Sequence, residues 1–595
     1  MLLRPRTWLP RTRFLMASTL AFTIGVSLAH CGNTVIGDDV NADAGTDQPK
    51  QLVSLTVSPD NAVLQVDVNQ TVQRQYTVLA NYSDGSIVDV SATATLMLEN
   101  AAIGSLAGTT FTSAASATAK VGFSKVLASY TENGQTQTGY ANLTVVWLRM
   151  TGTATDFFYN LPFMAAAQDQ PLQFGTTVQS LDSFFAVDTT GSMGPEIQTL
   201  NTSLTNTIIP GVKAGAAKDA QFGVAAVEDY PVSPFGGTNV FPGNIDDQPL
   251  IMLQNITPDV AAAQTAVGKL LNGTKPRGYG NDVPEGQMEA LYQLATGTGS
   301  VVGGVVNIPA NKTGIGGAGF RKGALPVITM ISDAVFHAKG EAGTCSYSGF
   351  TDQISYNAVS AVNNVAHTRT QTVDALNQIC AKVIGVSAIV TTMPVNCLAT
   401  ADLVKMANAT GAVVPPSAWD IPSRPAGCSA SQCCTGQSGV GEAPDINGMC
   451  PLVFKIPSTG AGLGAQVVSG ISNVARFSRF NVTTQTTGNP TGDMGEALPA
   501  GKSTADFITA ITPKDSSAPP APPTLPGPVI AGNAFTKVYP GSTVRFTVTA
   551  TNTLVQPTAV PQVFRAKIKV LAGGCADLDE REVIILVPPK APVVG

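Results

Sequence analysis

Apolar and polar positions change period along the chain. From Leu52 they alternate in twos with many β-branched residues, as in Leu55-Thr56-Val57, Leu64-Gln65-Val66-Asp67-Val68 and Tyr76-Thr77-Val78, with a turn at Ser83-Asp84-Gly85-Ser86. Several short strands within 52–148 predict a β-sandwich. After Asp182 the pattern becomes a fully apolar strand, Phe184-Phe185-Ala186-Val187, followed by a polar loop and a helical stretch with Ile197, Leu200, Leu204 and Ile208 on one face. More apolar strands are predicted at 222–227, 325–331, 383–390 and 452–456, separated by helical patterns such as Met288-Leu291-Leu294 and Val467-Val468-Ile471-Val474. That alternation predicts an open, doubly wound α/β sheet over 177–482. A Gly-, Ser-, Pro- and Cys-rich interruption at about 417–450 reads as an insertion stapled by disulfides. A Pro-rich loop at 516–528 precedes strict alternation in Val544-Arg545-Phe546-Thr547-Val548 and Phe564 to Val570, so 491–595 is expected to form a second sandwich.

The first 30 residues follow another logic. Arg4, Arg6, Arg11 and Arg13 precede an uncharged apolar run from Phe14 to about Ala29, which is the layout of an export signal. The following 31–51 are small and polar, with Asp38, Asp39, Asp43 and Asp47, and read as a tether. At 595 residues the chain is expected to hold about four domains. Only 12 % of residues are charged, the net charge is −6 and there are three histidines. This composition argues against a nucleic-acid surface and a multi-histidine centre. It suits an exported β-rich protein. Nine cysteines are present. If Cys31 is set aside, the eight others, Cys345, Cys380, Cys397, Cys428, Cys433, Cys434, Cys450 and Cys575, can pair completely in an oxidising compartment.

The informative segment is Asp188-Thr189-Thr190-Gly191-Ser192. It stands at the carboxyl end of a parallel strand, where open α/β sheets bind ligands. One carboxylate and two hydroxyls at alternate positions can aim their oxygens at a hard cation. The same residues also suit a polar turn before a helix.

This segment resembles the metal-ion-dependent adhesion site of von Willebrand factor type A domains, with Thr190 in place of a serine. Three further segments resemble the integrin β-subunit type in order: Phe222 to Pro234, Asp282-Val283-Pro284-Glu285-Gly286, and Ile331-Ser332-Asp333-Ala334-Val335-Phe336-His337. The resemblance implies Mg²⁺, or Mn²⁺ or Ca²⁺, on Asp188, Thr190, Ser192, Glu285 and Asp333. It also implies a second metal site on Asp229 and Asp282, although the asparagine that the family carries two positions before Asp282 is Gly280 here. A third family site would need acids of which only Glu196 is present, so none is expected. Tyr82-Ser83-Asp84-Gly85-Ser86 with Asp89-Val90-Ser91 resembles bacterial Ig-like domains. Ser27-Leu28-Ala29-His30-Cys31-Gly32 resembles a bacterial lipobox, with His30 departing from it. Lipidation of Cys31 and ordinary cleavage after Ala29 both stay open.

These resemblances imply an exported surface lipoprotein of a Gram-negative bacterium, in the outer membrane and on either face of it. Its expected partner is a protein presenting a carboxylate to the metal, with a structural envelope role as the alternative. His337 and His367 are expected to be hydrogen-bonded structural residues, and Asp445 with Asn447 to form a plain turn. No nucleophile elbow, phosphate loop or zinc-protease helix is present, so no enzyme activity is expected.

Overall fold

The computed structural model describes residues 50–151, 155–217, 219–238, 246–420, 424–445, 447–522 and 525–590. The export segment, most of the tether and Cys31 lie outside them.

The first sandwich packs three sheets on one core. Leu52–Ser58, Thr77–Tyr82 and Ile87–Asp89 form one sheet, and Asn61–Asp67, Gln135–Leu148, Lys120–Glu132 and Thr95–Leu98 a second. Gln73–Gln75, Thr110–Ser113 and Gly104–Ala107 form the third. Alternate residues of Thr77–Tyr82 are buried, as a two-residue repeat on a one-sided sheet requires. Tyr76, Phe111 and Trp147 fill the centre. On the outer face, Val146 and Leu148 pack with Phe158, Ile584 and Leu586 of the second sandwich.

That second sandwich is discontinuous in sequence. Its larger sheet runs Phe157–Asn160, Ala576–Val587, Gln562–Ala572, Phe480–Gly488, Ala534–Val538, Val529–Ala531. Its smaller sheet runs Gln168–Gly175, Thr543–Ala550, Ile508–Ser517. The expected start at 491 is therefore corrected. The sandwich takes in Phe480–Gly488, and two of its strands precede the α/β body, because Phe157–Asn160 closes a parallel edge on Val583 to Leu586 and Gln168–Gly175 pairs with Thr543–Ala550. The α/β body is an insertion into this sandwich.

The central sheet has six strands: β1 Ser180–Asp188, β2 Asp219–Val227, β3 Ile251–Thr257, β4 Leu325–Ser332, β5 Lys382–Ile389 and β6 Val453–Pro457. Their order is β3-β2-β1-β4-β5-β6. All neighbours are parallel except β3, which runs antiparallel to β2. Every residue of β4 is buried, and all of β1 after Ser180, as expected of strands covered on both faces. Helices α1 Gly194–Ser203, α2 Val260–Gly268 and α6 Leu463–Phe477 pack together, α1 touching both of the others. The second set is α3 Gln287–Thr296, α4 Arg369–Gln378 and α5 Thr400–Thr410, joined through α4. The connections leave β1 in one direction to β2 and β3 and in the other to β4, β5 and β6. The carboxyl ends of β1 and β4 thus form the switch point at which such sheets hold ligands.

All eight cysteines within the described residues are paired: Cys345 with Cys397, Cys380 with Cys575, Cys428 with Cys434 and Cys433 with Cys450. The last two staple the insertion between α5 and β6, and all four of its cysteines are buried. No helix among the described residues is long and apolar enough to cross a membrane.

Candidate metal centre

Asp188 is the last residue of β1, and its carboxylate is fully buried. One oxygen accepts from the Thr190 amide at 3.0 Å and the Thr190 hydroxyl at 2.6 Å. The other accepts from the Ser332 hydroxyl at 2.7 Å and Gln287 Nε2 at 3.5 Å. Three elements thereby hold one carboxylate: the loop after β1, the end of β4 and the first turn of α3. Ser192 is exposed and its hydroxyl lies near enough to Asp333 to favour that carboxylate's charge, so the cluster opens to solvent at that hydroxyl.

Glu285 arrives from the loop before α3. Its amide donates to Val335 O at 3.0 Å and its carbonyl accepts from the His337 amide at 2.7 Å, which stitches this loop to the one after β4. Asp247 holds the other flank, accepting from the amides of Gly237, Tyr279 and Gly280 at 2.8, 3.0 and 3.2 Å. Gly280 has φ +69°, and a Cβ there would stand 2.5 Å from Glu285 Oε1 and 3.5 Å from Thr190 Cγ2. A side chain at 280 is incompatible with this placement of Glu285.

The five residues expected as ligands therefore come from three loops that meet at the switch point. Glu196, in the first turn of α1, joins them: burial, then Asp333 and Asp188 nearby, push its carboxyl up to about 8. Burial and then Asp188 raise Asp333 to about 7 and Glu285 well above the usual range. Burial likewise raises Asp188 against the hydrogen bonds that favour its charge. Glu196 Oε2, Glu285 Oε2 and Asp333 Oδ1 are buried without a hydrogen-bond partner. An unpartnered buried acceptor costs about 1–3 kcal/mol. Three of them in one acidic pocket fit a hard divalent cation, which wants about six oxygens and keeps some waters. In the sequence Glu196 was one acid after a proline; its inward direction depends on where α1 begins.

Asp229 and Asp282 also lie close to each other, but with His337 between them. Asp229 accepts from the Tyr230 amide at 2.6 Å and the Tyr356 hydroxyl at 2.9 Å, and its second oxygen is 2.5 Å from His337 Nδ1. Both Asp229 oxygens are thus engaged. His367 meets an acid that sequence spacing did not show: Nδ1 is 2.9 Å from Glu289, and the ring stacks on Tyr292. Asp445 closes a turn by accepting from the Gly448 amide at 2.7 Å.

No protein-family model and no curated protein matches the chain. Among solved structures, it is similar to a von Willebrand factor type A protein from Catenulispora acidiphila, at 11 % identity over 73 % of this chain and 72 % of that one, with a TM-score of 0.27. It is also similar to a pilus adhesin from Lactobacillus rhamnosus GG in its open conformation, at 10 % identity over 79 % of this chain and 48 % of the adhesin, with a TM-score of 0.25. What the centre can do follows from its own residues.

Proposed function

We propose that the chain is an exported adhesion or interaction protein that binds an acidic group of a protein partner through a divalent cation, Mg²⁺ by preference of its oxygen donors. The observation that carries this reading is the set of three unpartnered carboxylate oxygens beside Asp188, Thr190 and the exposed Ser192. Asp188, Ser192 and Glu285 would hold the ion, with Thr190 and Asp333 touching it directly or through water. The bound cation supplies a Lewis-acidic position for an incoming carboxylate. Four disulfides suit an oxidising compartment, which agrees with export. Lipidation at Cys31 would add membrane anchorage.

One observation favours the structural-envelope alternative. Glu196 brings a fourth carboxylate to the pocket, and if it filled the last coordination position the ion would only rigidify the loops.

Thermal melting of the full chain in Mg²⁺, Mn²⁺, Ca²⁺ or EDTA tests the site. A cation at a hundred times its Kd stabilises by about 2.7 kcal/mol, and Asp188→Ala is expected to abolish the shift. An array of peptides bearing Asp or Glu, with Asn and Gln counterparts, tests the function. Retention of acidic peptides only, in Mg²⁺ and not in EDTA or by Asp188→Ala, supports adhesion. Metal-independent retention overturns it, and a melting shift with no acidic-peptide binding leaves the structural role in its place.

A further inference from the structure

His337 is fully buried, yet both of its ring nitrogens face acceptors. Nδ1 is 2.5 Å from Asp229 Oδ2, while Nε2 is 2.9 Å from the Gln353 carbonyl and 3.6 Å from Asp282 Oδ2. A neutral imidazole has one N–H. Asp229 is the better acceptor for it, being pinned on its other oxygen by Tyr230 and Tyr356. Nε2 then presents a lone pair to a carboxylate and a carbonyl, an arrangement that calls for a positive charge among them. Asp282 makes the same demand independently. Its side chain is only 4 % exposed, and its Oδ1 has no hydrogen-bond partner.

The spacing suits a metal. Two ligands on tetrahedral zinc, each at about 2.0–2.1 Å, stand roughly 3.4 Å apart, close to the 3.6 Å between His337 Nε2 and Asp282 Oδ2; the Gln353 carbonyl, at 2.9 Å from Nε2, would have to draw back by about half an ångström to join them. A ligating histidine ordinarily gives its other N–H to a carboxylate that fixes the ring, and Asp229 is so placed. We propose that His337 Nε2, Asp282 and the Gln353 carbonyl bind a divalent ion of the zinc class, with Asp229 as the positioning residue behind the imidazole. A nitrogen ligand selects against Mg²⁺ and Ca²⁺, so this site takes a different metal from the oxygen-only cluster at Asp188.

The full chain carrying Asp188→Asn keeps the two centres apart in the test. Zinc is measured by metal analysis after equilibrium dialysis, and Co²⁺ by its visible spectrum. One equivalent of Zn²⁺ should remain, and adding His337→Gln or Asp282→Asn should weaken it at least tenfold. Asp229→Asn, which leaves every ligand in place, should weaken it 10–100-fold. Absence of zinc binding in the Asp188→Asn chain, or equal affinity with His337→Gln, overturns the proposal. Nitrogen NMR of the His337 ring needs no variant. A zinc-dependent shift of the Nε2 resonance with a proton on Nδ1 alone supports the site, whereas two ring N–H groups in excess zinc show that the imidazolium itself is the cation, and the metal is then ruled out.

Discussion

Gly280 is the residue on which the geometry of the acidic cluster turns. Its φ of +69° is the left-handed region, and its missing Cβ is the space that Glu285 Oε1 occupies. Gly280→Ala would combine backbone strain of about 1–3 kcal/mol with a displaced Glu285, so Mg²⁺ affinity should fall at least tenfold along with stability. Gly85 is the control, because it has φ +80° with nothing within 4 Å of its would-be Cβ. Gly85→Ala should cost similar stability and leave the metal-dependent melting shift intact. Equal metal responses in the two variants would show that position 280 does not set the cluster. Asp188, Thr190 and Ser192 were legible in the sequence because they are nearly contiguous and follow an apolar strand. Glu196 and His337 were not, because the direction of one depends on the start of a helix and the surroundings of the other on a backbone carbonyl at 353, which leaves no side-chain signature.

Strands buried on both faces announce themselves, as β1, β4 and β5 do through continuous apolar runs. Edge strands do not: Ile251–Thr257 carries Gln254 and Asn255 in its middle and is half-buried throughout, so β3 has no clear period. The flanking strands Phe157–Asn160 and Gln168–Gly175 were invisible for another reason, since their partners lie 368 to 426 residues further on. Element ends carry charge consequences too. Lys382 opens β5, and its buried Nζ donates to Thr410 O at 2.7 Å at the end of α5. Burial lowers its ammonium from 10.5 to about 8. Between those two values the unfolded chain holds more protons than the folded one, so this residue adds stability as pH rises from about 8 towards 10.5. Melting temperatures of wild type and Lys382→Met should therefore shift in favour of wild type between pH 7 and pH 10. A pH-independent difference would show that the amine keeps its proton in the fold over this range, as it does in the unfolded chain.

At the scale of the whole molecule, the α/β body is fastened to its host sandwich at the amino end of the sheet, opposite the acidic cluster at Asp188. The chain enters β1 after Gly175 and leaves α6 into Phe480–Gly488, Gly323 O accepts from the Asp577 amide at 2.8 Å, and Cys380 is bonded to Cys575. The disulfide crosses from the residues just before β5 to the turn between Gln562–Ala572 and Ala576–Val587, and spans 195 residues of sequence. By chain entropy a loop of that size stabilises by about 5 kcal/mol, against about 2 kcal/mol for a loop of some six residues, the separation of Cys428 and Cys434. Replacing Cys380 and Cys575 by Ser should consequently lower the melting temperature of the full chain more than replacing Cys428 and Cys434. The cation-dependent shift should survive the first change, because the cluster is built entirely from the opposite ends of the strands. If instead the cation shift disappears with the Cys380–Cys575 bond while the fold remains, the fastening at one end of the sheet controls the loops at the other, and the two ends of the inserted body act as one coupled unit.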